Sequence, residues 1–475
     1  MTASITRALA AAAVFALLAV GAGGALQADT RTASRIAGAV ERLLARDAAT
    51  FDLPIRVSVE GAVVRLDGIS GDLAARDRAG ELTERVAGVR AVVNDIKVVP
   101  PARDEDDVSR EANEILRGEL GSGASGMSVA VDDGIASLSG TARTAIEFQL
   151  ALQLLRSVPG IERIEPAVEV EDGPELPDPA IADAVAARLA WDIWTTDAPI
   201  DVSVSDAVVA LEGSVFSPWI RTRASKLASG VPGVDMVDIS ALRVSPAGYP
   251  QELRERPFRP SDTDIALAIR AAIAADPALG RLNIVPSVDD GNVALAGRVD
   301  TPRQQTRVFE IARNTVGVRQ VDTFITVEPE RSPPDSELAA SVAVALANDA
   351  AFKLHPVAAS AENGVVTLTG SVPDRPYRAR AEQVTDRVLG VRDVSNLITV
   401  QAAASADADR RLAEAVREAL FWNPSIDEDA ITVRVDRGVV ELTGTVKTLR
   451  ALNLADDLAR EAGAARVENR LRVGF

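Results

Sequence analysis

The chain has 475 residues, of which 47% are hydrophobic and 25% charged, and a formal net charge of −18. That length exceeds one hydrophobic core and predicts several domains, while aromatics at 3% leave the cores to Val, Leu, Ile and Ala. The acidic balance repels nucleic acid, and the absence of Cys excludes disulfides, thiol nucleophiles, thiolate metal sites and a lipidated Cys anchor.

Residues 1–28 read as a secretory signal peptide: one positive charge at Arg7, an apolar run from Ala8 to Val20, then Gly and Ala before Asp29. Cleavage fits after Ala25 or after Ala28. An uncleaved N-terminal anchor in the inner membrane is the alternative, because Ala8 to Leu26 is nearly long enough to span a bilayer.

Beyond the leader, the chain is one unit written six times. "EGAVVRLDGIS" from Glu60 returns as "DDGIASLSGTA" from Asp132, "SDAVVALEGSV" from Ser205, "DDGNVALAGRV" from Asp289, "ENGVVTLTGSV" from Glu362 and "DRGVVELTGTV" from Asp436. A glycine near the end of each falls at Gly68, Gly140, Gly213, Gly297, Gly370 and Gly444. A second comes at Gly88, Gly160, Gly233, Gly317, Gly390 and Gly463, and two markers holding one period define a tandem array.

Within a unit, helical periodicity comes first, as at Leu412, Val416 and Leu420. Alternation in Ile431, Val433 and Val435 predicts a strand, Asp436-Arg437-Gly438 a tight turn, and Val440, Leu442 and Val446 the returning strand. Gly444 shares that apolar face, where a missing side chain would let the following helix lie close to the sheet. Ser217-Pro218 and Thr301-Pro302 read as N-caps of a second helix, which should end in a left-handed cap at the second glycine before a last strand.

The order αββαβ, with a helix crossing between two strands of one sheet, predicts a parallel pairing. The expected fold class is α+β: six small sandwiches, each a three-stranded mixed sheet with two helices on one face. The expected units are 30–100, 103–172, 177–245, 262–330, 333–401 and 405–475, with a Pro/Arg-rich linker at 246–261 that divides the array three and three.

The hairpin pattern V-V-x-L-x-G-x-V and the later G-V-x-x-V resemble the BON domain. The hairpin part is clearest at Gly364, Val365, Val366, Leu368, Gly370 and Val372 and at Gly438, Val439, Val440, Leu442, Gly444 and Val446. The later part is clearest at Gly88-Val89 with Val92 and Asn94, and at Gly390-Val391 with Val394 and Asn396. Ala62 and Ala207 stand in place of the turn glycine in the first and third units, and Gly463-Ala464 replaces Gly-Val in the sixth.

The resemblance implies a non-catalytic periplasmic module that binds a phospholipid surface or envelope proteins, in envelope maintenance or osmotic stress protection. A structural spacer or oligomerising scaffold of the cell envelope, with self-association, is the alternative. No small-molecule substrate, cofactor, metal site or catalytic residue is expected.

The residues themselves add little chemistry. "GSGASG", with Gly121, Gly123 and Gly126, reverses the strand-then-helix order that a dinucleotide fingerprint needs, and reads as a loop. The acids Asp104 to Asp107, and Asp262 with Asp264, precede helices and read as caps. His355 stands alone and reads as structural. The aromatics Trp191, Trp194, Trp219 and Trp422 fit either contact with a lipid or partner or packing between units.

Overall fold

The computed structural model describes residues 30–120, 126–171, 176–245, 260–329, 332–400, 406–421, 426, 430–436, 438–446, 449–464 and 466–473. The leader, most of the linker, Gly121, Gly123, Trp422 and Arg437 lie outside these residues.

Six αββαβ units appear in succession. Their first helices are Thr30–Leu44, Glu105–Leu120, Asp178–Trp191, Asp262–Ala274, Asp335–Asn348 and Ala406–Phe421. The hairpins pair Ile55–Glu60 with Val63–Ser70, Met127–Asp132 with Ile135–Ala142, Ile200–Ser205 with Val208–Val215, Ile284–Asp289 with Asn292–Val299, Ala358–Glu362 with Val365–Thr369, and Ile431–Asp436 with Val439–Val446.

Second helices come next, at Leu73–Glu84, Ala145–Leu155, Pro218–Ser229, Pro302–Arg313, Arg375–Thr385 and Leu449–Glu461. The last strands are Ala91–Val98, Arg163–Val170, Gln320–Val327 and Arg466–Val473; in unit three two short pieces, Met236–Asp238 and Leu242–Val244, do this work. Unit five splits similarly, with Asp393–Asn396 on Val365–Thr369 and Thr399–Val400 on Ser371–Val372.

Each hairpin is antiparallel and each last strand runs parallel to the second, which therefore lies in the middle. Alternation puts one side of the central strand under the helices: Val64, Leu66, Ala136, Leu138, Leu211 and Leu295 are fully buried. Each such Val or Leu stabilises the fold by about 1.5–3 kcal/mol. The opposite side stays open, as the strictly alternating exposure of Met127–Asp132 shows.

The first glycine acts differently from the expectation. A Cβ at Gly444 would stand 2.0 Å from the Ala430 carbonyl oxygen, and at Gly140 1.6 Å from that of Gly126. The position is crowded by backbone leading into the first strand rather than by the following helix. It also sits at positive φ, +137° and +117° respectively, so glycine is required twice over.

The second glycine also has positive φ, as at Gly390 (+95°), but the helix before it has already ended at Thr385. It closes the turn after the helix, against the start of the first helix: a Cβ on Gly317 would touch Ile265 Cδ1 at 2.8 Å.

Ser217 and Thr301 cap as expected, accepting from the amides of Ile220 and Gln304. The acids divide their labour. Asp264 completes a capping box with Ser261, and Asp104 accepts from the Asp107 amide, whereas Asp262 reaches across to accept from Asp290 and Gly291 in the hairpin turn, both at 2.9 Å. Asp178 does the same for Asp206 and Ala207, Asp335 for Asn363 and Gly364, and Glu105 for Asp133. The Gly364 and Asn363 amides hold the Asp335 carboxyl below the usual range. The clamp keeps Ala207 at φ +61° without a glycine; in unit one, Gly61 supplies the left-handed residue, at +62°.

Candidate functional site

Two kinds of polar feature recur where helices meet. The first lies inside a unit. An Asp just after the first helix caps the next turn and receives an Arg from the second helix: Arg78 to Asp47, Arg223 to Asp192 and Arg380 to Asp349 at 2.9 Å, and likewise Arg307 to Asp276. The capped amides are those of Ala49, Trp194, Ala351 and Ala278. Acid and base are 31 residues apart in all four units, a signal that is present in the sequence but lies outside its helix and strand periodicities.

The second feature lies between units. Lys226 pairs with Glu81 at 3.1 Å and Arg313 with Asp457 at 3.1 Å, while Arg42 pairs with Glu418 and Arg156 with Asp77. Arg380, already held by Asp349, also reaches Asp72 of unit one at 3.5 Å. Nearby, Phe51 packs edge-on against Tyr377 at 4.5 Å, and the lone His355 packs edge-on against the same Tyr377 at 5.2 Å.

The described tryptophans lie at such seams. Trp191 ends the first helix of unit three and packs against a core shared by units two and four, to which Leu73 and Val98 of unit one also belong. Trp194, three residues on, donates its indole Nε1–H to Asn314 of unit four at 3.2 Å and packs on the core of unit six. Trp219 meets Trp194 edge to face at 5.0 Å, and the Arg85 guanidinium of unit one lies 4.5 Å from its ring centre. The fourth candidate, Trp422, falls outside the described residues.

Charged side chains from three units converge at one junction, around a cavity of about 20 Å³. Glu119 of unit two, Arg303 of unit four, and Asp386 and Arg387 of unit five line it. The space admits a water molecule and little else. Burial raises the Glu119 carboxyl, with Arg303 at 4.0 Å opposing that rise. Asp386 is pushed up to about 6 by burial and by Glu382, and Arg387 falls to about 10 through burial beside Arg380 and Arg303. Asp300 of unit four, itself paired with Arg281, also lines the cavity, so three acids and two bases meet at this joint between units. Among the described residues no cluster of His, Asp and Glu is arranged to hold a metal ion.

These contacts come mainly from helices and the turns after them, so the helical layers face inward and the open sheet faces point away. The outer face of unit four carries an apolar row across its sheet, Val285, Ala296 and Phe324, with Phe324 69% exposed.

A three-stranded mixed sheet under two helices, repeated with its hairpin and glycine turns intact, defines a class of small α+β module arranged in tandem. The BON domain family model matches residues 32–100, 104–172, 177–246, 261–329, 334–402 and 408–474, and the chain belongs to that family. It is similar to osmotically-inducible protein Y of Escherichia coli (strain K12), with 33% identity over 148 residues, covering 31% of this chain and 70% of that protein.

Among solved structures it is similar to CdsD, a structural protein of the type III secretion system of Chlamydia trachomatis, at 14% identity, 48% coverage of this chain and 96% of that one, with a TM-score of 0.13. The CdsD C-terminal domain gives 15% identity, 46% and 100% coverage and a TM-score of 0.14. Scores this low support no structural argument. Among the described residues no helix is long and apolar enough to cross a membrane.

Proposed function

We propose that this is a non-enzymatic periplasmic protein, exported by its leader, whose BON units bind envelope components in envelope maintenance or osmotic stress protection. The family and the osmotically-inducible relative support the setting. The observation that carries the reading is the arrangement of the units: helices turned to one another, sheet faces turned out. A body of this kind offers several similar surfaces at once, and weak individual contacts gain strength through effective concentration.

A phospholipid surface is the first candidate partner and a membrane protein the second. With a net charge of −18, apolar and aromatic side chains such as Phe324 would have to supply lipid affinity rather than mean electrostatics. The tryptophans enter this reading as contacts that fix the units relative to one another.

Liposome flotation of the mature protein, with and without anionic lipid, tests the reading. Association with both vesicle types, weakened by Phe324→Ser, is expected. No association with either removes the lipid version, and crosslinking in intact cells then identifies the protein partner.

A further inference from the structure

Besides contacts within each half, such as Arg156 with Asp77, Lys226 with Glu81 and Arg313 with Asp457, a closed path of contacts runs between the two halves. Unit one meets unit five through Phe51 on Tyr377, and unit five meets unit two where Arg387 donates to the Ser157 carbonyl at 3.3 Å. Units two and four share one hydrophobic core, and Gln304 donates to the Glu119 carbonyl at 3.2 Å. Unit four meets unit three through paired backbone, Ile193 N–H to Asn314 O and Val316 N–H to Trp191 O, each 3.0 Å. Unit three meets unit six where Trp194 lies on its core, and Arg42 with Glu418 returns the path to unit one.

That path, one–five–two–four–three–six, alternates at every step between the first three units and the last three. Parting the halves therefore breaks every one of these seams together, including a shared apolar core and a short stretch of backbone pairing.

We infer that units one to three and units four to six are mutual binding partners, whose association does not depend on the peptide joining them, and that Trp194 anchors their interface. Trp194 is suited to that role because one side chain serves two partner units, with a hydrogen bond to unit four and an apolar face on unit six, and Trp219 and Arg85 support it from behind. Large aromatics of this kind dominate association energies where water is excluded around them. The peptide between Ser245 and Pro260 then contributes effective concentration only.

The test uses the whole mature protein with a protease site placed between residues 246 and 259. After complete cleavage, size exclusion with light scattering at micromolar concentration should show the two fragments together, one to one, at the mass of the uncut protein. Two peaks at half mass would overturn the inference.

In the cut protein, Trp194→Ala should raise the dissociation constant by about 30-fold or more, the scale of a strong interfacial anchor. Asn314→Ala removes only the acceptor on the other side, and should raise it about threefold to tenfold. It serves where Trp194→Ala does not fold, as judged by circular dichroism of the uncut variant. An unchanged dissociation constant in the folded variants would overturn the anchor assignment.

Discussion

Units two and four share one hydrophobic core and one topology, yet they join their two helices differently. Unit four uses the buried Asp276 and Arg307. In unit two the matching positions, set by the glycine spacing, hold Glu119 and Leu150. Without a basic partner in its own unit, Glu119 turns to Arg303 of unit four, and Leu150 enters the core at 5% exposure. One acidic position thus either closes a unit on itself or ties it to a neighbour. A buried acid needs a nearby cation, and the fold is indifferent to which unit supplies it.

The comparison can be broken at three places. The largest effect is expected where backbone crowding is greatest. Gly140→Ala in unit two places a Cβ 1.6 Å from the Gly126 oxygen, and strain plus overpacking should cost about 4 kcal/mol. Gly297→Ala in unit four meets its nearest oxygen at 2.5 Å and should cost less. Urea unfolding of both variants checks the order, and equal midpoints would refute it.

Next comes the ion pair. Arg307→Leu copies Leu150 of unit two and removes the direct ion pair of Asp276, leaving it only the longer-range field of Arg188, which should cost about 2–3 kcal/mol, part of the Arg307 side chain being solvent-facing. Adding Asp276→Asn, which keeps the oxygen that caps Ala278, should recover most of that loss. A double variant no more stable than the single one would count against the pair as the cause.

The smallest effect concerns pH at the junction where units two and four meet unit five. Asp386 faces Glu382, Asp393, Arg387 and Arg303, and its folded value of about 6 lies above the ordinary 3.8. A carboxyl raised in this way favours the folded state when protonated, and loses that contribution as pH rises through 6. The native protein should therefore gain about 2 kcal/mol on going from pH 7 to pH 4.5 through this group. Asp386→Asn should be more stable than the native chain at pH 7 and should lack that gain. Parallel stability–pH curves for the two proteins would dismiss the effect.

Much of each unit is legible in the sequence. The helix–hairpin–helix–strand order comes from periodicity and turn residues, and the caps at Ser217 and Thr301 from local chemistry, because these interactions span few residues. The role of Gly444 is not legible in the same way, because crowding by Ala430 depends on strand register rather than on pattern. Asp262 has the local context of a cap, yet its partners, the turn amides, lie 28 and 29 residues away.

The constant 31-residue spacing of Asp and Arg stands in the sequence, but only burial of the acid gives it meaning. Seams such as Lys226 to Glu81 carry no periodic trace at all, since exposed charges are common and only assembly selects which ones meet.

The separation between Arg42 and Glu418 has a consequence in time. The acid-to-turn clamps of units three to five span only 28 or 29 residues, but this bond waits until 376 residues beyond Arg42 have been made. At synthesis rates of roughly 5–20 residues per second, Arg42 goes without its partner for about 20–75 s. In the newborn chain the surfaces that receive the sixth unit, Arg42 and Trp194 among them, stay bare until that final bead arrives.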